Sequence, residues 1–309
     1  MATIFTIHRV EKPDSSKLHE TESMKISPEF LENLIISLRN GGYDFISMDQ
    51  LYHTIAQGNK KRRLIVFTID DGYKDLVYNA YRIFRKYNVP FTAYISTSFP
   101  DKEAILWWYA IEEIILSNQE VILNSGMKFI TKTTNEKNYA FRAIRKYIID
   151  QGFIGDNFEK FLSKEFKKYK INLYKHTYTE TLEWGDLKKI SNDTIVTIGN
   201  HTKDHLPLNK LNKKKAYEQI CESSEILQSI TGNKIDHFAY PYGSRNEFGP
   251  KEAFLLKKMG YKTAVTTLYG NIYQKHINYL HSLPRIMLVN NFEMWKLGAP
   301  RKIRFQGSL

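Results

Sequence analysis

Two aspartates stand side by side in Asp70-Asp71-Gly72, directly after the apolar run Leu64-Ile65-Val66-Phe67-Thr68-Ile69. Such a run reads as a strand buried on both faces. The carboxylates then sit at its end, where their charges repel and loss of water raises at least one pKa. A divalent cation removes the difficulty by taking one carboxylate as a ligand. An Asp-Gly turn with a helix cap explains one aspartate better than it explains two. Farther on, Asn200-His201-Thr202-Lys203-Asp204-His205 carries two histidines four apart. The spacing places both on one face of a helical turn, suited to gripping one metal ion. Thr202 stands where a His-Glu-x-x-His site needs its Glu, so the general base comes from elsewhere, and Asp70 is free to supply it. The histidine pair is a weak signal alone and a strong one beside the paired aspartates.

The elements that must position these residues alternate. Thr3 to Ile7 reads as a first strand ending at His8, and Ser27-Pro28-Glu29 as a capped helix start. That helix carries Leu31, Leu34, Ile35 and Leu38 on one face and stops at Gly41-Gly42. Ser47 reads as a second cap. After the strand 64–69 a helix runs through Leu76, Ala80, Ile83, Phe84 and Tyr87, and Pro90 to Ile95 is the next strand. This is a βαβ unit, so the sheet is at least partly parallel. From about Lys102 to Leu182 the alternation is lost, and the stretch reads as a mostly helical insertion or lid. The rhythm resumes with strands at Thr194–Ile198, His237–Tyr240, Tyr261–Thr266 and Arg285–Val289, and helices at Lys213–Ile230 and Pro250–Met259. The expectation is one α/β domain over 1–309 with the insertion at 102–182. Reactive groups in parallel α/β folds gather at the carboxyl ends of the strands. His8, Asp70-Asp71-Gly72, His201 with His205, and Pro241-Tyr242-Gly243 all fall at such ends.

The chain has 309 residues, a hydrophobic fraction of 42% and a charged fraction of 25%, ordinary for a globular protein. Its net charge is +12. The basic residues are spread along the chain, with short runs only at Lys60 to Arg63 and Lys213 to Lys215, so nucleic-acid binding is not expected. A solvated Lys-rich surface is the first reading, and attraction to an anionic substrate or a membrane surface the second. One cysteine, Cys221, allows no intrachain disulfide. The start, Met1 to Val10, lacks the pattern of a signal peptide. A cytoplasmic protein is the expectation, with peripheral contact at the inner membrane surface as an option.

Together the motifs resemble the polysaccharide deacetylase family, also called the NodB homology domain or carbohydrate esterase family 4. Its Thr-Phe-Asp-Asp-Gly motif is matched by Thr68-Ile69-Asp70-Asp71-Gly72. Its His-Ser/Thr-x-x-His motif is matched by His201 to His205, and its motif ending Pro-Tyr-Gly by Phe238-Ala239-Tyr240-Pro241-Tyr242-Gly243. Ile7-His8-Arg9-Val10 and Leu283-Pro284-Arg285-Ile286 also look like the ends of the family's cytoplasmic and envelope-sugar branches. The resemblance implies a distorted (β/α) barrel with a mostly helical insertion. It also implies metal-dependent removal of an N-acyl group, most often N-acetyl, from an amino sugar. Asp71, His201 and His205 would hold Zn²⁺, Co²⁺ or Ni²⁺, and Asp70 would act as base. The Tyr242 backbone N–H would hold the oxyanion, Thr202 would steady the histidine turn, and Pro241 would border the substrate.

Two departures from the family pattern stand out. The usual arginine of the third motif is replaced by Ala239, and Arg285 is the candidate to orient the base from another strand. The usual acid, a histidine near the C-terminus, has two candidates here, His281 and His8. Trp107 and Trp108 are candidates to stack on a sugar ring, although adjacent aromatics cannot both face one way. The substrate expected is an N-acetylated sugar or glycan precursor, anionic or lipid-linked in keeping with the charge. The competing readings are a deacylase of a non-sugar amide or imide, and an inactive carbohydrate-binding relative.

Overall fold

Seven short runs rich in β-branched and aromatic residues form the staves of a barrel. They are β1 (Ala2–Ile7), β2 (Leu64–Ile69), β3 (Phe91–Ile95), β4 (Val196–Asn200), β5 (His237–Ala239), β6 (Thr263–Tyr269) and β7 (Leu283–Met287). In this computed structural model, which describes residues 2–58, 63–152 and 157–292, each strand pairs in parallel with the next. β7 returns to β1 through Phe5↔Ile286, and β1 pairs with β2 from Ala2↔Leu64 to Ile7↔Ile69, so the ring is closed. A two-residue strand, Asp44–Phe45, adds to the start of β2. Most of the basic run Lys60 to Arg63 and both ends of the expected domain over 1–309 lie outside the described residues.

The period-2 alternation of a strand sorts side chains between barrel interior and helical jacket. Ile4, Val66, Tyr94, Ala239, Val265 and Leu283 pack together inside, with Met48, Leu51 and Ile55 of the helix Met48–Ala56 in the same cluster. Phe5, Phe67, Phe91, Phe238 and Ile286 face outward to the helices. The same parity carries His8, Asp70 and Arg285 inward, because each lies two or four residues along its chain from Ile4, Val66 or Leu283. Helix ends follow the sequence signals. Ser27 Oγ accepts from the Phe30 N–H at 3.1 Å, and Gly232 closes Lys213–Thr231 with φ +69°.

Several strand boundaries differ from the sequence reading, among them β6, which spans Thr263–Tyr269 rather than Tyr261–Thr266. β4 begins at Val196, not Thr194, because the Asp193 side chain and carbonyl accept from the Ile195 and Val196 N–H groups and hold a turn there. The register Phe91↔Val196 to Ile95↔Asn200 then extends the strand to Asn200. β7 begins at Leu283 rather than Arg285, since Val265 pairs with Leu283 and Pro284 is taken into the strand.

The stretch between β3 and β4 is mostly helical. Its helices include Trp107–Ser117, Thr134–Tyr147 and Phe158–Glu165, and it also carries an antiparallel hairpin, Glu120–Ile122 with Lys128–Ile130, that the sequence pattern did not reveal. It has a separate apolar core that includes Trp107, Ile115, Phe141, Ile144 and Phe166. Among the described residues no helix is long and apolar enough to cross a membrane.

Gly199 in β4 is required by close packing. A Cβ there would meet Tyr94 Cδ1 at 2.4 Å and the His237 carbonyl at 3.1 Å. Gly199→Ala is therefore expected to destabilise the fold by about 1–3 kcal/mol through overpacking, read as a lower urea midpoint at unchanged slope. An unchanged midpoint would show that the barrel interior yields at Tyr94.

Candidate active site

Asp70 leaves the end of β2 toward the barrel axis and meets Arg285 from β7. The guanidinium makes two parallel bonds, Nη1 to Oδ1 at 2.7 Å and Nη2 to Oδ2 at 2.6 Å. Its remaining donors are also used, Nε on the Thr266 carbonyl at 2.9 Å and Nη1 on Thr68 Oγ1 at 3.0 Å. Arg285 has no exposed surface and Asp70 is 2% exposed. Burial by itself would push the Asp70 carboxyl up, but the adjacent Arg285 charge and its hydrogen bonds outweigh that and hold it below the usual carboxylate range. Asp70 is thus an ionised carboxylate held in one orientation, as a base needs.

Asp71 takes the other direction because its backbone is left-handed, φ +79°, and Gly72 follows at +107°. Its Oδ1 lies 3.3 Å from Nε2 of both His201 and His205. The two histidines do not lie on a helical turn as their spacing suggested. Residues 201–206 form a loop in which Thr202 (φ +67°) and His205 (φ +52°) are both left-handed. Asn200 Oδ1 accepts from the Thr202 N–H at 2.7 Å, while the Ser98 N–H and the Lys203 N–H donate to the Lys203 and Gln219 carbonyls. The loop places the two rings 4.9 Å apart. Thr202 acts through its backbone, since its buried hydroxyl has no hydrogen-bond partner. Among the described residues, four of the seven non-glycine residues with positive φ are Asp71, Thr202, His205 and Tyr242, so backbone strain concentrates here.

The cluster fits a metal ion. His201 Nδ1 is 2.7 Å from the Ala239 carbonyl, which fixes the proton on that nitrogen and turns the Nε2 lone pair toward Asp71. Two acceptors then face each other at 3.3 Å, and Asp71 Oδ1 is buried with no hydrogen-bond donor. A cation between them resolves the conflict. Asp71, His201 and His205 bring one ligand atom each to within 4.8 Å of one another. Carboxylate oxygen with two imidazole nitrogens and open positions is a donor set that suits Zn²⁺ or a similar ion.

Around the cluster lies a cavity of about 300 Å³, bordered by His8, Trp107, Trp108, Tyr109, Arg145 and Tyr242 among others. His8 stands at the end of β1 with Nδ1 unpartnered, and burial pushes its pKa below the ordinary histidine value. His281, the other candidate acid, is excluded by position. Its Nε2 is held 2.8 Å from the Tyr261 carbonyl, and both residues precede their strands, at the amino end of the barrel. Arg285, the candidate to orient the base, makes the paired bonds to Asp70 given above. Pro241 is buried and does not border the cavity, so a direct substrate contact is not its role. Trp107 packs mainly into the insertion core at 3% exposure, and Trp108 stands 5.8 Å from the His205 ring. The Tyr242 ring is 4.8 Å from that of His205, and Thr267 Oγ1 donates to the Tyr242 carbonyl at 2.8 Å.

Sequence reasoning missed Arg9. It lies on the cavity wall with Nε on Asp75 at 2.6 Å, Nη1 on the Tyr109 hydroxyl at 2.5 Å and Nη2 on Glu180 at 2.9 Å. It ties the end of β1 to the insertion. Its position directly after His8 was the one available signal.

Comparison with known proteins agrees with this geometry. The family model described as polysaccharide deacetylase matches residues 57–264. Among solved structures, the chain is similar to the Streptococcus pyogenes deacetylase PplD in complex with acetate, at 16% identity and TM-score 0.61 over 94% of this chain and 93% of that one. It is also similar to the de-N-acetylase from Aggregatibacter actinomycetemcomitans, at 15% identity and TM-score 0.58 over 96% and 98%. IcaB from Ammonifex degensii aligns at 15% identity and TM-score 0.56 over 93% and 91%. No curated protein matches the sequence. The low identities speak for the fold, and the family match spans all three motifs: the chain belongs to the polysaccharide deacetylase family.

Proposed function

We propose that the protein is a metal-dependent de-N-acetylase acting on an amino sugar of a glycan or glycan precursor. The observation that carries the reading is the Asp71–His201–His205 cluster beside an Asp70 carboxylate clamped by Arg285, within one aromatic-walled cavity. Asp71, His201 and His205 would hold Zn²⁺, Co²⁺ or Ni²⁺, which when bound supplies a Lewis acid and lowers the pKa of water. Asp70 takes the proton of the attacking water while Arg285 keeps its oxygens aimed. The Tyr242 backbone N–H donates to the oxyanion that forms at the acyl carbon. His8, which borders the cavity beside the proposed metal ligands, delivers a proton to the departing amine. The C–N bond breaks, and acetate and a free amino sugar result. Trp108 and Tyr242 supply apolar faces for the sugar ring.

The test is elemental analysis combined with product assay. One divalent ion per chain is expected, with acetate and free amine released from N-acetylhexosamine oligosaccharides. Chelation should abolish release, and Zn²⁺ or Co²⁺ should restore it. Metal-loaded protein that releases acetate only from non-sugar amides would move the assignment to an amidase. Protein that cannot be loaded with metal would leave a carbohydrate-binding relative.

A further inference from the structure

The cavity wall opposite the barrel is formed by the insertion, and one of its side chains has no use in the chemistry above. Arg145, on the helix Thr134–Tyr147, borders the same cavity as His8, Asp70, Asp71 and His201. Its guanidinium carbon stands 5.6 Å from the centroid of the Tyr242 ring, and that ring is 4.8 Å from the ring of His205. The cation is therefore two aromatic steps from a proposed metal ligand, within the span of one or two sugar units.

The other charges on the cavity wall are matched, Asp71 by the proposed metal ion and the rest within the chain. Asp70 is paired with Arg285, and Asp71 faces His201 and His205. Arg9 is paired with Asp75 and Glu180, and Glu20 with Arg142 at 2.6 Å. On Arg145's own helix, Arg142 has Glu20, and Lys146 has Asp150 just beyond the helix. Arg145 makes no ion pair or hydrogen bond to any described residue through its side chain, and only the Tyr242 ring holds it. A ring face engages a guanidinium without using its N–H donors. The donors are left as a planar fork, the geometry that binds a carboxylate or a phosphate with two parallel bonds.

We propose that the substrate is an anionic N-acetylated glycan or sugar conjugate, and that Arg145 receives its carboxylate or phosphate at the cavity wall. The proposal rests on the de-N-acetylase reading of the same site. Its chemistry is specific. Arg145 is an exposed side chain at the cavity edge, so an anion gains a charge-assisted pair there that a wholly neutral oligosaccharide, which offers hydroxyls only, cannot make. A charge-assisted pair formed there also selects the acyl group to be removed, by fixing the distance from anion to amide.

The experiment compares three substrates of the metal-loaded enzyme: a neutral N-acetylglucosamine oligosaccharide, a glucuronate-containing disaccharide of N-acetylglucosamine, and N-acetylglucosamine 1-phosphate. For the wild type, kcat/KM should be higher on one of the two anionic substrates than on the neutral one, and which of them leads identifies carboxylate or phosphate as the group bound. In Arg145→Ala the ratio of anionic to neutral kcat/KM should fall by about 2- to 5-fold, the value of a solvent-exposed ion pair, and the loss should lie in KM. Arg145→Lys should recover part of it. Because each ratio is taken within one protein preparation, a change in folded fraction cancels. An equal fall on all three substrates would overturn the proposal and show that Arg145 only positions Tyr242. An unchanged ratio with turnover of the neutral substrate would overturn it and leave the de-N-acetylase reading standing. Acetate from none of the three would overturn both.

Discussion

Asp70→Asn is expected to lower kcat by about 10²–10⁴-fold while the protein still takes up one divalent ion per chain. The carboxamide is nearly isosteric and can still accept one bond from Arg285, but it cannot remove a proton from water. The metal-binding residues assigned here, Asp71, His201 and His205, are untouched by the change. Burial would otherwise raise the Asp70 carboxyl, and the Arg285 charge holds it below the usual range, so the base is ionised at neutral pH. Its protonation is not what would limit the enzyme as pH falls from neutral toward 5. Elemental analysis and amine release on the same sample separate the two functions. A variant that retains metal and wild-type turnover would remove Asp70 from its role as base, and one that loses metal would place it among the ligands.

Arg285→Met should have the largest effect on stability, about 3–5 kcal/mol at neutral pH, because it leaves the Asp70 carboxylate buried without a partner. The pH dependence follows from the direction of the shift. With Arg285 present, the Asp70 pKa is lower in the folded chain than in the unfolded one. The pair therefore contributes stability above the unfolded value of about 3.9, which is lost as pH falls through the folded value. Without the guanidinium, burial acts alone and raises the folded value, so the variant's deficit should shrink as acid protonates Asp70. Denaturant melts at pH 7 and pH 5 measure this. Asp70→Asn made in the Arg285→Met background should cost less than in the wild type, with a coupling above about 1 kcal/mol. Simple additivity would mean that the two side chains do not depend on each other in solution. Both substitutions are also expected to reduce activity, and the thermal melt of each variant separates lost base from lost fold.

Much of the site could be read from local pattern. The apolar run 64–69 announced a buried strand, and two charges at its end required something to neutralise them. His201 and His205 are recognisable as a candidate metal pair from their spacing, although they do not lie on a helical turn. A helical turn and the observed loop both bring residues four apart together, but only the loop's left-handed Thr202 and His205 aim both rings at Asp71. Those backbone angles come from contacts with Asn200, Ser98 and Gln219, and no residue in the motif announces them.

What the sequence by itself determined is therefore the alternation of strands and helices, the family motifs, and which residues are the candidate metal ligands and candidate base. Each of these depends on neighbours along the chain, where periodicity and residue type are sufficient. Barrel closure decided the rest. Arg285 reaches Asp70 across 215 positions because β7 pairs with β1 and β1 with β2, and strand parity then turns both side chains inward. The same closure separated the two candidate acids, setting His8 at the carboxyl end of the ring and His281 at the amino end, a difference set by where β7 starts. Arg145 reached the cavity through the packing of the insertion, whose separate apolar core sets its orientation over the barrel mouth. Contacts of that kind are made between surfaces, and no local pattern encodes which surfaces will meet.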